Sequence, residues 1–253
     1  MDVFLAIRFD GGAVTHFLFN SVILRGIRGT MEITVLAMLF GILLGIVLGV
    51  MRVSHSRLLS GLSAFYVWFV RGTPVLIQLL VVANGLPQMV GSREFTLFLT
   101  PFRAAVMTFT VNEAAYMAEI IRAGIQAIEP GQMDAAKSLG MTNLQAMRRV
   151  ILPQALRVVI PPTGNEVIAM LKNTSIAFSI GFVELTNAAR LIYAVNFKVM
   201  ELLVVASIWY LAATTAFSVI QAELEARLAI VERDRAIPLT TRVLRALGSG
   251  RER

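Results

Sequence analysis

Residues 33–51 read ITVLAMLFGILLGIVLGVM, nineteen residues without a charged side chain. A helix that rises 1.5 Å per residue needs about 20 apolar residues to cross the hydrocarbon core of a bilayer. A second uncharged run of twenty-one residues covers 202–222. Because the core helix of a soluble domain rarely needs this length, the two runs predict an all-α integral membrane protein.

Composition agrees with lipid as the solvent. Of the 253 residues 57% are hydrophobic and 15% are charged, where a soluble domain carries roughly 25% charge. The net charge is +7, but the basic residues lie mostly between and after the apolar runs, so a membrane orientation signal is favoured over a nucleic-acid partner. The absence of cysteine and the presence of only two histidines exclude thiol chemistry and a His/Cys metal cluster.

We expect five transmembrane spans. They cover about 28–51, 58–82, 99–121, 158–183 and 202–222. The third and fourth are the weaker predictions, because each charge inside a span costs about 2.5–3.5 kcal/mol. The corresponding domains are an external segment 1–27, a transmembrane domain 28–222 that includes the loop 122–153, and a tail 223–253.

The distribution of Lys and Arg orients the spans. The segments 52–57, 122–149 and 223–253 hold thirteen of these residues, and the segments on the opposite side hold six. The positive-inside rule then predicts an external N-terminus and a cytoplasmic C-terminus. Arg8 interrupts the first apolar stretch, so we expect no cleaved signal peptide.

The predicted cytoplasmic loop reads RAGIQAIEPGQMDAAKSLGMTNLQAMRRVILP over residues 122–153. Pro130 is suited to the first turn of a helix, and Gly140 is suited to a helix end with positive φ. Thr142 followed by Gln145 is a capping-box pattern for a second helix. The loop is therefore predicted to be a helix, a glycine turn and a second helix, which Pro153 stops or kinks. On these local features alone, a pair of surface helices that merely connects two spans explains the loop equally well.

This loop resembles the signature loop of type I ATP-binding-cassette (ABC) importer permeases. The family pattern is Glu-Ala-Ala, three residues, Gly, nine residues, Ile, one residue and Leu-Pro; here Asp and Val replace the Glu and the Ile. The matching residues are Asp134, Ala135, Ala136, Gly140, Val150, Leu152 and Pro153. The resemblance implies that the first helix docks on an ATPase subunit through Gly131, Gln132, Asp134, Ala135, Ala136, Leu139 and Gly140.

Three further motifs resemble the polar amino-acid branch of this family. They are Arg71-Gly72-Thr73-Pro74 with Gln78-Leu79-Leu80, the stretch 115–125, and Lys172-Asn173-Thr174-Ser175. The resemblance implies a permease of a bacterial inner membrane that pairs with a second copy or a homologue, binds two ATPase subunits and receives a polar amino acid from an external binding protein. No GxxxxGK[ST] phosphate loop occurs in the chain, so ATP and Mg are expected on the partner ATPase and no cofactor on this chain.

Polar residues at membrane depth are the candidates for substrate contact, because a lipid-facing position is so unfavourable for them. In the third span Glu113 and Tyr116 lie three residues apart and share a helix face. The fourth span carries a wide polar arc, and Pro161-Pro162 is expected to loosen its start. The candidates are Thr73, Gln78, Glu113, Tyr116, Asn165, Glu166, Lys172, Asn173, Thr174 and Ser175.

Several alternatives stay open at this point. Glu166 and Lys172 could pair with other spans to assemble the fold, and Glu119 with Arg122 reads best as an interfacial ion pair. The spacing of Gly41, Gly45 and Gly49 fits either a subunit contact or packing within the chain. An ion-coupled secondary transporter and a membrane scaffold that transports nothing are the two rival functions.

Overall fold

The computed structural model describes residues 9–228, and these form helices joined by short connections. In chain order the α-helices are α1 (Gly11–Leu18), α2 (Ser21–Arg52), α3 (Arg57–Arg71), α4 (Val75–Leu80), α5 (Leu86–Val90), α6 (Arg93–Phe98), α7 (Pro101–Gln126), α8 (Gly131–Ser138), α9 (Asn143–Ala146), α10 (Leu152–Asn173), α11 (Leu185–Asn196) and α12 (Val199–Leu228). Five-residue π-helical turns cover Val81–Gly85 and Met147–Ile151, and a 3-10 segment covers Thr174–Ile180. No strand occurs within the described range, which confirms the all-α prediction. The predictions for residues 1–8 and for the tail beyond residue 228 lie outside it.

Two compact units make up the chain. Within the described residues, unit 1 contains 9–40, 72–112 and 169–214, and unit 2 contains 41–71, 113–168 and 215–228. The four longest helices, α2, α7, α10 and α12, each contribute one part to unit 1 and the other part to unit 2.

Unit 1 packs the start of α2 against α11 and α12. Ile23, Leu185 and Leu202 are fully or almost fully buried in its core. A β-carbon at Gly26 would lie 2.5 Å from the Cβ of Ala188, so only glycine allows α2 and α11 to approach so closely. Small residues thus set the distance between these helices.

An ion pair connects the chain before α1 to the start of α12 in unit 1. Lys198 Nζ donates a hydrogen bond of 2.6 Å to Asp10 Oδ2, and the Asp10 backbone N–H donates to Glu201 Oε1 at 2.9 Å. The hydrogen bond from Lys198, with its positive charge, lowers the pKa of Asp10 below its usual value. These contacts position α1 beside the start of α12.

Unit 2 packs the second half of α2 against α7. Gly45 faces Met117 and Gly49 faces Ile121, where a β-carbon on Gly49 would lie 2.8 Å from the Cβ of Ile121. Ser63 of α3 donates a hydrogen bond of 2.7 Å to the Leu48 carbonyl, which adds α3 to this pair. Gly45 and Gly49 therefore serve packing within the chain, one of the two alternatives left open for Gly41, Gly45 and Gly49.

Helices that could cross a membrane are identified by their length and their apolar composition. Among the described residues, the helices Ser21–Arg52 and Val199–Ala226 are each long and apolar enough to cross a membrane. Two bent helix pairs, Arg57–Arg71 with Val75–Val90 and Asn143–Ile180 with Leu185–Asn196, bring the total to four if each pair is one span. The 26-residue helix α7 has the length of a span but contains the charges noted above, so a count of five stays a prediction.

Candidate functional site

The loop between α7 and α10 has the local structure that its sequence predicts. Helix α8 begins at Gly131 and is followed by Gly140 at φ +79°, a left-handed conformation that favours glycine. The hydroxyl of Thr142 accepts a hydrogen bond from the Gln145 backbone N–H, and the Gln145 side chain accepts one from the Thr142 N–H. The glycine turn and the capping box are therefore both confirmed.

In the same loop two alanines are buried and two leucines are exposed, and Ala135 is exposed as well. Ala136 and Ala146 are buried, whereas Leu139 and Leu144 are 79% and 76% exposed. Apolar side chains that their own chain leaves uncovered are candidates for contact with another molecule. Leu139 and Leu144 define what we call the docking surface.

Of the two effects expected of Pro153, a stop or a kink of the second helix, the structure contradicts the stop. The π-helical turn Met147–Ile151 comes directly before Leu152, and α10 then continues through Pro153 to Asn173. A wider turn accommodates a proline ring that would clash with the preceding turn of a regular helix. A weak hydrogen bond of 3.4 Å from Gln154 Nε2 to Gln132 Oε1 connects α10 to α8.

Two of the polar candidates form a small hydrogen-bond network in unit 1. The Gln78 amide donates to Thr73 Oγ1 at 2.8 Å and to the Thr73 carbonyl at 3.1 Å. Asn112 Nδ2 then donates to Gln78 Oε1 at 3.2 Å. Asn112 was not among the predicted residues, although its position directly before Glu113 in an apolar helix was a signal.

The end of α10 supplies the other candidates of unit 1. Lys172 and Ser175 line a cavity of about 470 Å³, together with Thr186 and Tyr210. Asn173 is exposed, whereas Thr174 is buried and its hydroxyl donates to the Leu171 carbonyl at 2.8 Å. The cavity thus combines one ammonium group with several hydroxyls.

Unit 2 holds the remaining candidates. The guanidinium carbon of Arg71 lies 4.9 Å from the centre of the Tyr116 ring, a cation–π contact. The charge of Arg71 acts on the half-buried Glu166, and the charge of Glu166 acts on the buried Glu113. Asn165 Oδ1 accepts a hydrogen bond of 3.1 Å from Gln221 of α12, which was not among the predicted residues. These residues all belong to unit 2, where Arg71 is held against the ring of Tyr116.

Glu119 forms the predicted ion pair and one more. Arg122 Nη2 lies 2.7 Å from Glu119 Oε2, as the three-residue spacing indicated. Arg52 at the end of α2 lies 3.2 Å from Glu119 Oε1, a partner 67 positions away in the sequence. The carboxylate thus joins the end of α2 to α7.

The sequence of residues 41–230 matches the family described as the inner membrane component of binding-protein-dependent transport systems. The match covers well over half of the chain. The chain belongs to this family. It is a membrane permease component, and its role in the system is transport rather than catalysis.

Individual permeases are also similar to this chain. The arginine transport system permease protein ArgU of Corynebacterium glutamicum is 41% identical over 91% of this permease and 75% of its own length. The glutamine transport system permease protein GlnP of Escherichia coli is 33% identical over 88% of this permease and 100% of its own length. The L-cystine transport system permease protein TcyL of Bacillus subtilis is 39% identical over 74% of this permease and 79% of its own length.

Solved structures support the same fold. A chain from a crystal structure of an amino acid ABC transporter with histidines is 37% identical, with a TM-score of 0.79 over 87% of this permease and 100% of that chain. A chain of the inward-facing MetNI methionine ABC transporter is 20% identical, with a TM-score of 0.66 over 82% of this permease and 96% of that chain. At this identity the similarity shows the fold alone. The permease therefore has the type I ABC importer fold that its loop motif predicts.

Proposed function

We propose that this permease forms the membrane path of an ATP-driven importer for a polar amino acid. The observation that carries the proposal is the loop 131–153, where a short helix, a glycine at positive φ and a capped second helix present an uncovered apolar surface. Relatives of this permease are named for the transport of arginine, glutamine or L-cystine, which favours an amino acid as its substrate.

In this proposal the partners supply what the chain lacks. Two ATPase subunits bind ATP and Mg and contact the docking surface, since the sequence contains no phosphate loop of its own. An external binding protein delivers the amino acid, and a second permease copy or a homologue completes the path. The N-terminus lies outside and the C-terminus lies in the cytoplasm, as the Lys and Arg distribution indicates.

Both units contain side chains suited to a zwitterionic ligand. A zwitterion needs an acceptor for its ammonium group and donors for its carboxylate. Within unit 2, Glu113 and Glu166 are acceptors for an ammonium group, and Arg71 is a donor for a carboxylate. Within unit 1, Lys172 and the hydroxyls around the cavity are donors for a carboxylate. We assign the substrate contacts to the ten candidate residues from the sequence, with Thr174 as the residue least available because it is buried and bonded to its own helix.

Co-purification of the ATPase with the permease variant Leu139→Ser tests whether the docking surface binds the ATPase. Leu139 is 79% exposed in the docking surface, so replacing it removes apolar contact area without disturbing the fold, and the ATPase is expected to dissociate. Leu97→Ser is the matched control, because Leu97 is 68% exposed on α6, in a segment predicted to face outward. Full retention of the ATPase by Leu139→Ser, or equal loss in the control, contradicts the docking role.

A further inference from the structure

Phe197, in the turn between α11 and α12, holds a backbone conformation that a bulky residue rarely adopts. Its φ is +60°, and within residues 9–228 it is the only non-glycine residue with a positive φ. The β-carbon crowds a carbonyl oxygen in this left-handed region, which is therefore unfavourable for a bulky side chain. Strain of this kind persists only where the surrounding structure enforces it, and it is concentrated at functional sites.

Hydrogen bonds on both sides of Phe197 enforce the turn. The Phe197 N–H donates to the Tyr193 carbonyl at 2.9 Å, where α11 ends. The Lys198 N–H donates to Asn196 Oδ1 at 2.9 Å, and the Lys198 ammonium group donates to Asp10 Oδ2 at 2.6 Å. All of these residues belong to unit 1. The backbone of the turn is therefore fixed before any partner binds.

The turn presents apolar side chains instead of burying them. Phe197 and Val195 are each 79% exposed, and Met200 is 61% exposed. These three side chains define what we call the turn surface. Because the Phe197 ring is so exposed, its packing within the chain contributes little that would offset the strain of its backbone.

The turn surface lies at the end of unit 1 that is predicted to be external. The uncharged run of the last predicted span begins at residue 202, and the charged residues Lys198 and Glu201 lie between Phe197 and that run. Charged residues at the end of a span favour its water side, so the Phe197 ring lies beyond the hydrocarbon core. Lys198 and Asp10 compensate each other's charge, which leaves an apolar contact as the one that the turn offers.

We propose that the turn surface binds the external binding protein, and that the Phe197 ring fills an apolar pocket on that protein. The inference rests on the proposed function and adds the place on this chain where the binding protein binds. The family is described by transport systems that depend on a binding protein, and such a partner meets the permease at its external end. An aromatic ring held in one orientation loses little conformational freedom on binding, which favours affinity.

Substitution by glycine separates binding from a structural role. Phe197→Gly removes the ring and the strain together, because glycine adopts a positive φ freely. The unfolding temperature of the permease in detergent is expected to rise by about 2–4 °C for a chain of this size. A side chain that the fold requires would lower that temperature when it is removed.

The contact itself is measured through ATP hydrolysis by the permease and its ATPase in nanodiscs. The binding protein of the same system is titrated, and the concentration that gives half-maximal stimulation is recorded. For Phe197→Gly this concentration is expected to rise about tenfold or more, the usual cost of removing an aromatic side chain from the centre of an interface. Hydrolysis without the binding protein is expected to stay unchanged.

Three further variants locate the effect. Phe197→Tyr keeps the ring and is expected to keep the half-maximal concentration. Val195→Ser removes apolar contact area from the same turn and is expected to raise this concentration, so it tests the inference even where Phe197→Gly fails to fold. Phe19→Ala is the matched control and is expected to change nothing, because this 68% exposed ring lies beside Trp209, about 15 Å further along α12.

Several results overturn the inference. They are an unchanged half-maximal concentration in Phe197→Gly or in Val195→Ser, an equal rise in Phe19→Ala, and a fall of both affinity and unfolding temperature in Phe197→Gly. Separation of the permease pair into single copies in Phe197→Gly also overturns it, since the turn surface would then contact the second copy. A binding protein that fails to stimulate ATP hydrolysis by the unmodified complex overturns the proposed function instead.

Discussion

At the scale of single residues, Gly140 forms the turn between the two leucines of the docking surface. Its φ of +79° lies in a region that costs an L-residue about 1–2 kcal/mol, and a β-carbon there would meet no other atom within 4 Å. Gly140→Ala is therefore expected to strain the turn between α8 and α9 without a steric clash. Less amino acid should be taken up per ATP hydrolysed, as measured in proteoliposomes that contain the ATPase and the binding protein.

Gly61 provides the control for that substitution. It lies inside α3, where an added β-carbon would meet no atom within 4 Å and where φ is not positive, so Gly61→Ala should leave the ratio of uptake to hydrolysis unchanged. Helix propensity favours this substitution by about 0.5–1 kcal/mol. Full uptake per ATP in Gly140→Ala would show that the glycine turn plays no part in coupling.

At the scale of helices, the contact between α2 and α7 in unit 2 depends on Gly49. A β-carbon there would lie 2.8 Å from the Cβ of Ile121 and 3.1 Å from the backbone oxygen of Ala118. Since the backbone cannot yield as a flexible side chain would, Gly49→Ala is expected to lower the free energy of unfolding by about 1–3 kcal/mol. Thermal unfolding in detergent measures the change, with Gly61→Ala again as the control, and equal stability of the two variants would contradict this packing.

The helices of the loop 131–153 show which helix ends could be predicted from the sequence and which could not. The end of α8 and the start of α9 were predictable because a glycine turn and a capping box depend on a few neighbouring residues. The passage of the helix through Pro153 was not, because it requires a π-helical turn that no single residue type signals.

Contacts between distant parts of the chain explain most of what the sequence missed at the candidate site. The pairing of Arg52 with Glu119, and of Gln221 with Asn165, joins residues 67 and 56 positions apart. The spacing of Glu119 and Arg122 was informative because both lie on one helix. A pattern within a helix reveals which residues share a face, but only the packed structure reveals what that face contacts.

At the scale of the whole molecule, the orientation of the chain in the membrane is predicted from its charges and is open to direct labelling. The sequence contains no cysteine, so a single introduced cysteine is the only thiol. In intact cells a membrane-impermeant maleimide is expected to label Thr96→Cys on α6, and to label Ser56→Cys before α3 only after the membrane is permeabilised. The opposite pattern of labelling would invert the predicted topology.

The central claim at this scale is that ATP drives the uptake of the amino acid. Uptake by the reconstituted system tests this claim most directly. The permease, its ATPase and its binding protein are placed in proteoliposomes, and accumulation of a labelled amino acid is followed with ATP held constant, with and without an uncoupler. We expect accumulation that requires ATP and is unaffected by the uncoupler. Loss of accumulation on adding the uncoupler would contradict this account and favour an ion-coupled transporter, and ATP hydrolysis without accumulation would favour a scaffold.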